Sequence, residues 1–237
     1  MPNHPSAQRA ALALRQACVF DFDGVIIDSE PLHAEAKRVT LNHFLVPHSE
    51  ILLAEFKGRP DSAFFQHVEA DLAKGRATAR EMELHKQKTY AQLFEHVPLV
   101  PGVLDFLAAA RASFSKLALA TSATRHDFLL GARKYQIEKW FDVIVTGDDT
   151  VRHKPDPEPY LKAISLLGVT SSAALVIEDS PNGIRAAKAA HCEVVGLTTS
   201  FQAEELRGAG ADWLMTSYTE LAQTLGLERT RSAAGEA

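Results

Sequence analysis

Uninterrupted apolar runs punctuate the chain at ACVFDF (17–22), KLALAT (116–121), DVIVTG (142–147) and ALVIED (174–179). Two weaker ones follow, CEVVGL (192–197) and ADWLM (211–215). Each is bounded by charge or turn residues and is too short for an independent helix. A strand with one wet face alternates apolar and polar residues, whereas continuous runs predict strands buried on both faces. Segments of helical length and period lie between them, at 102–113 behind Pro101, 124–135, 157–168 and 181–190. The third begins with prolines and stops at Gly168, as helix start and stop signals should. Strands alternating with helices predict a parallel sheet with right-handed crossovers.

The region 31–97 breaks this rhythm. It holds no convincing buried strand but carries helical patterns, PLHAEAKRVTLNHFL and AREMELHKQKTYAQLFEHV. The expected organisation is a core from 16–30 and 98–226, a helical insert at 31–97, and disordered tails at 1–15 and 227–237.

Composition narrows the function classes. A length of 237 residues with 46% hydrophobic content suits one large domain or a core plus an insert. The net charge of -5 offers no basic surface to nucleic acid or an anionic membrane. An anionic substrate would therefore need local positive charge or a metal. Cys18 and Cys192 sit in apolar runs and are expected to be buried strand thiols, not a disulfide framework. Trp140, Trp213 and the phenylalanines are expected in the core. No apolar run approaches the about 18 residues of a membrane span, and the N-terminus is a poor signal peptide. A cytoplasmic protein is expected, with a small-molecule partner, as a monomer or weak homodimer.

The candidate chemistry gathers where the runs end. The first strand leads into Asp21-Phe22-Asp23-Gly24, and ligands of open α/β sheets bind beyond the carboxyl ends of strands. The second run ends at Thr121-Ser122, the third leads to Lys154-Pro155, and the fourth ends at Glu178-Asp179-Ser180. Any one of these alone reads as a helix cap or a solvated loop. Together they would place four carboxylates, a hydroxyl and an ammonium at one edge of the sheet. Four neighbouring acids raise each other's pKa unless a counter-ion is present, and Mg²⁺ suits an all-oxygen site. Such a site fits a transferring phosphoryl group.

These segments resemble the haloacid dehalogenase superfamily, in its phosphatase and phosphomutase branch. VFDFDGVIIDSEPLH is similar to the family's first motif, LATS to the second, HKPDPEPY to the third and VIEDSPNGIRAA to the fourth. The likeness runs from about residue 17 to 215. It implies a Rossmann-like core with an α-helical cap after the first strand. It also implies that Asp21 is the nucleophile and Asp23 the acid/base, with Thr121, Ser122 and Lys154 on the phosphate. Mg²⁺ would be held at Asp21, Asp23, Glu178 and Asp179. His33, Lys57, Gly58 and Arg59 are the candidate substrate contacts of the cap. Members that dehalogenate lack the second aspartate and the metal, so Asp23 speaks against that reaction.

The nearest alternative is a β-phosphoglucomutase-like enzyme. That branch shares a histidine at the His33 position and has a Lys-Gly-x-Ser-Arg loop whose arginine grips a distal phosphate. Asp61 stands at that arginine position here, and is expected to repel a second phosphate. A signalling receiver domain also surrounds an aspartate with acids, a hydroxyl and a lysine, but is much shorter and lacks DxDG. A catalytically dead relative would not be expected to keep Asp21, Asp23, Lys154 and Asp179.

Overall fold

The computed structural model describes residues 15–56 and 61–227. The expectations for the tails at 1–14 and 228–237, and for Lys57, Gly58 and Arg59, lie outside the described residues. Contacts divide the chain into two compact units, Met1–Asp28 with Leu99–Ala237, and Ser29–Pro98.

The first unit is built on six parallel strands, β1 (Ala17–Phe20), β2 (Lys116–Ala120), β3 (Val143–Val145), β4 (Ala174–Glu178), β5 (Glu193–Leu197) and β6 (Trp213–Met215). They run in the order β3-β2-β1-β4-β5-β6, all neighbours parallel. This is the doubly wound, Rossmann-like order, and its direction reverses between β1 and β4. β1 has no exposed residue because both sheet faces are covered. Ala17 and Val19 face one layer, with Tyr160, Ala163, Ile164 and Leu167. Phe20 faces the other, edge-on to Phe106 at 6.0 Å. Double burial is the reason the strand runs are continuous rather than alternating.

In the second unit, α1 (Glu30–His43), α2 (Glu50–Glu55), α3 (Asp61–Val68) and α4 (Ala79–Phe94) enclose a core of their own. That core includes Leu41, Phe56, Phe64, Phe65 and Met82. A π-helical turn, Glu69–Ala73, extends α3. Thr78 and Glu81 start α4 with reciprocal side-chain to backbone hydrogen bonds.

The remaining helices flank the sheet: α5 (Val103–Ser113), α6 (Arg125–Arg133), α7 (Glu158–Leu167), α8 (Pro181–Ala189), α9 (Ala203–Ala209) and α10 (Tyr218–Leu225). The sequence pattern had not separated α2, α9 or α10, which hold six, seven and eight residues, too few turns for a period to show. Two smaller expectations change. Cys192 is buried but precedes β5 rather than lying in it. Trp140 and Trp213 are half-buried rather than core, and Trp213 donates its indole N–H to Glu193 at 2.9 Å. No helix among the described residues is long and apolar enough to cross a membrane.

Candidate active site

β1 stops at Phe20, so Asp21 to Gly24 is already a turn. The directions of Asp21 and Asp23 are therefore set by turn geometry and not by the pleat of a strand. Asp21 N–H still donates to Ile177 on β4 at 3.0 Å, and Ile26 and Ile27 N–H fold back onto the Phe22 carbonyl. Phe22 between the two acids is buried against Phe128, with ring centroids 4.9 Å apart. Two hydroxyls from distant segments hold the turn: Thr199 donates to the Gly24 carbonyl at 2.6 Å and Tyr218 to the Val25 carbonyl at 2.8 Å. Gly24 has φ +70°, and a Cβ there would lie 1.7 Å from the Asp179 carboxylate. Glycine is required by both the turn and the approach of that acid.

Lys154 is the hub. Its ammonium donates to Asp21 Oδ1 at 2.6 Å, to Glu178 Oε1 at 2.7 Å and to the Ala120 carbonyl at 3.0 Å. Its side chain is 7% exposed. Glu178 is fully buried and accepts five hydrogen bonds. Lys154 and Tyr160 donate to Oε1; Asp179 N–H, Ser180 N–H and the Ser180 hydroxyl donate to Oε2. Gly183 makes room for it, since a Cβ there would meet Oε1 at 1.6 Å. Ser180 also caps α8 by accepting from Gly183 N–H at 3.1 Å. Thr121, 1% exposed, accepts from Ala123 N–H at 2.9 Å. Its hydroxyl hydrogen is thereby left to donate elsewhere. Ser122 is exposed on the loop after β2.

The charges do not balance. Asp21, Glu178 and Asp179 each bring a carboxylate oxygen within 4.8 Å of the others, and half-buried Asp23 lies near enough to act on Asp21 and Asp179. Among the described residues, one ammonium opposes four acids. Burial, followed by repulsion from Glu178 and Asp23, pushes the Asp21 carboxyl up to about 7 against the pull of Lys154. Asp179 is driven well above its usual range by burial and by Glu178 and Asp21, with a hydrogen bond from Ser200 acting the other way. Burial opposes the charge on Lys154 too, but Asp21 and Glu178 outweigh it and raise its pKa. The donor set, all oxygen and short of positive charge, fits a hard divalent cation. Asp21 and Asp179 have the unmet need for one. Glu178 already holds more donors than its roughly four lone-pair directions accommodate.

In the helical unit, His33 and Lys37 share a face of α1, and Lys86 and Tyr90 share a face of α4. Lys86 donates to His33 Nδ1 at 2.9 Å, and His33 stacks on Tyr90 with ring centroids 4.2 Å apart. Asp61 pairs with Lys86 at 2.7 Å and with Lys37 at 3.4 Å. Two ammonium groups face the single charge of Asp61 and offset it, which the expectation that Asp61 repels a second phosphate did not include.

Tyr160, Thr199 and Ser200 were not singled out from the sequence. A polar-tipped aromatic on a core-facing helix position was the available signal for the first. Thr199 and Ser200 carried none, because their partners Gly24 and Asp179 are remote in sequence.

A parallel sheet that brings a carboxylate, a hydroxyl, a lysine and an acid pair to its switch point fits the chemistry of phosphoryl transfer. The haloacid dehalogenase-like hydrolase family matches residues 18–197, and the chain belongs to it, in the branch of phosphatases and β-phosphoglucomutase-like proteins. It is a phosphoric monoester hydrolase by class. It is 36% identical over 181 residues to a phosphorylated carbohydrates phosphatase of Thermotoga maritima, covering 75% of this chain and 82% of that one. It is 35% identical over 209 residues to the validoxylamine A 7'-phosphate phosphatase of Streptomyces hygroscopicus subsp. limoneus, covering 87% and 95%. A solved structure from Thermotoga maritima, provisionally named a beta-phosphoglucomutase, superposes with a TM-score of 0.76 at 32% identity over 90% of this chain and 97% of that one.

Proposed function

We propose that the protein is a Mg²⁺-dependent phosphatase of a small phosphorylated metabolite, a sugar phosphate by preference, working through an aspartyl phosphate on Asp21. The observation that carries the reading is the hydrogen-bonded contact of Lys154 with Asp21, inside an all-oxygen acid cluster that also holds Glu178 and Asp179. The phosphatase names of the relatives support it.

Asp21 attacks phosphorus while the ester oxygen departs, and Asp23 gives that oxygen its proton. Asp23 then takes a proton from the water that cleaves the acyl phosphate, which restores both acids. Thr121 and Lys154 hold the phosphoryl oxygens, with Ser122 on the same loop as Thr121. Asp21 and Asp179 would hold Mg²⁺, with the Asp23 backbone carbonyl; bound there, it would neutralise charge on the acids and the phosphoryl group. The proposal includes the helical unit as a cap that selects substrate through His33 and the Lys57–Arg59 segment, and a cytoplasmic location.

The test is phosphate release from a panel of phosphorylated sugars and other metabolites, with Mg²⁺ and after exhaustive EDTA. Release that needs Mg²⁺ supports the reading; full activity in EDTA refutes the metal. A mutase reading is favoured by one observation, the double lysine pairing of Asp61. β-Glucose 1-phosphate with a trace of the 1,6-bisphosphate separates the two, since a mutase makes glucose 6-phosphate with negligible free phosphate.

A further inference from the structure

Tyr160 is completely buried, on the face of α7 that packs against the sheet. Its companions there, Ala163, Ile164 and Leu167, are apolar. Its hydroxyl donates to Glu178 Oε1 at 2.7 Å, the same oxygen that receives Lys154. The Lys154 ammonium also lies 4.8 Å from the centroid of the Tyr160 ring. One side chain therefore touches the lysine in two ways, through the ring face and through the carboxylate they share.

We infer that Tyr160 is a positioning residue for Lys154, holding the ammonium in place while Asp21 is phosphorylated. The inference rests on the proposed function, in which Lys154 meets the phosphoryl group. Before reaction, three acceptors hold the ammonium: Asp21, Glu178 and the Ala120 carbonyl. Transfer breaks the bond from phosphorus to the leaving oxygen, which is protonated by Asp23, and forms the bond from phosphorus to an Asp21 oxygen. Asp21 ceases to be a carboxylate anion in that step and weakens as a partner of Lys154. Glu178, the Ala120 carbonyl and the Tyr160 ring are what remains. The phenol keeps Glu178 from swinging with the lysine, and the ring face attracts the cation without competing for its N–H donors, so the one N–H that Asp21 releases stays free for a phosphoryl oxygen. A phenylalanine supplies only the ring, and an aliphatic residue neither.

The experiment compares Tyr160→Phe and Tyr160→Leu with the wild type for kcat, KM and the affinity for inorganic phosphate by calorimetry at fixed Mg²⁺, with circular dichroism to confirm folding. Tyr160→Phe is expected to lower kcat about tenfold with KM within about twofold, since a hydrogen bond to a charged group is lost while other donors still hold Glu178. Tyr160→Leu is expected to lose about a further tenfold in kcat and about tenfold in phosphate affinity as the ring face goes. A merely structural role would lower the melting temperature but leave kcat per folded molecule and phosphate affinity unchanged, and that result in Tyr160→Phe overturns the assignment. If Tyr160→Leu does not fold, Tyr160→Phe decides alone. If the wild type releases phosphate from no substrate, the proposed function fails on that result, and the phosphate affinities still decide the role of Tyr160.

Discussion

His33 offers the sharpest test of the helical unit, because its protonation state is dictated by a partner that only donates. The Lys86 ammonium is 2.9 Å from Nδ1, so Nδ1 must present its lone pair and the ring proton must sit on Nε2. Protonating Nδ1 would set two donors face to face. Burial is the largest cause, followed by the charge on Lys86, with Asp61 opposing and Lys37 adding; together they push the His33 pKa down to about 3. The unfolded ring titrates near 6.5. The folded state therefore binds fewer protons, and this contribution to stability is complete above about pH 6.5 and is lost as pH falls toward about 3. Between pH 7 and pH 5 the unfolded ring takes up its proton while the folded ring stays neutral; the interval of about 1.5 units below 6.5 corresponds to about 2 kcal/mol at 1.36 kcal/mol per unit, and to about 1–2 kcal/mol once the partial exposure of the ring is allowed for. Urea unfolding of the full chain at both pH values, for the wild type and His33→Gln, isolates this contribution, since every other titrating group is common to both proteins. The wild type should lose about 1–2 kcal/mol more than the variant. Equal losses, or a His33 ring titrating near 6.5 by NMR in the folded protein, would refute the argument.

Other expectations follow from the same geometry. Asp21→Asn should abolish nearly all turnover in a folded protein, and borohydride trapping of the phosphoenzyme should label Asp21; a label on another residue would remove it as nucleophile. Asp23→Asn should cost about 10²–10⁴-fold on an alkyl phosphate and far less on p-nitrophenyl phosphate, whose leaving group scarcely needs a proton; equal losses would point to a structural role. Asp61→Asn leaves the buried ammonium groups of Lys37 and Lys86 without their shared carboxylate. It should destabilise the helical unit by about 3 kcal/mol, read as faster amide exchange in α1 and α4, and unchanged exchange would show that the pairs contribute little.

The six strands, their parallel run and the helical stretch between the first two were legible in the sequence; the order of the strands in the sheet was not. Burial on both faces imposes continuous apolar runs, and a run of that kind carries its own signature wherever it lies in the chain. The motif residues at the strand ends were legible for a related reason, since the sheet gathers the carboxyl ends of its strands at one edge. Asp21, Thr121, Lys154, Glu178 and Asp179 could thus be assigned to a common place before their contacts were known. Tertiary structure decided everything that depends on which distant atoms meet. It set Glu178 under five donors and against Lys154, a charge balance that no local pattern encodes. It also placed Asp61 between Lys37 and Lys86, whose ammonium groups offset its charge: charge is a property of the residue, but the field a ligand meets is a sum over neighbours. The turn after β1 depends in the same way on Thr199 and Tyr218, 175 and 193 residues downstream of the carbonyls they hold. A hydroxyl occurs in solvated loops as well as in such a clasp, and only the fold distinguishes the two.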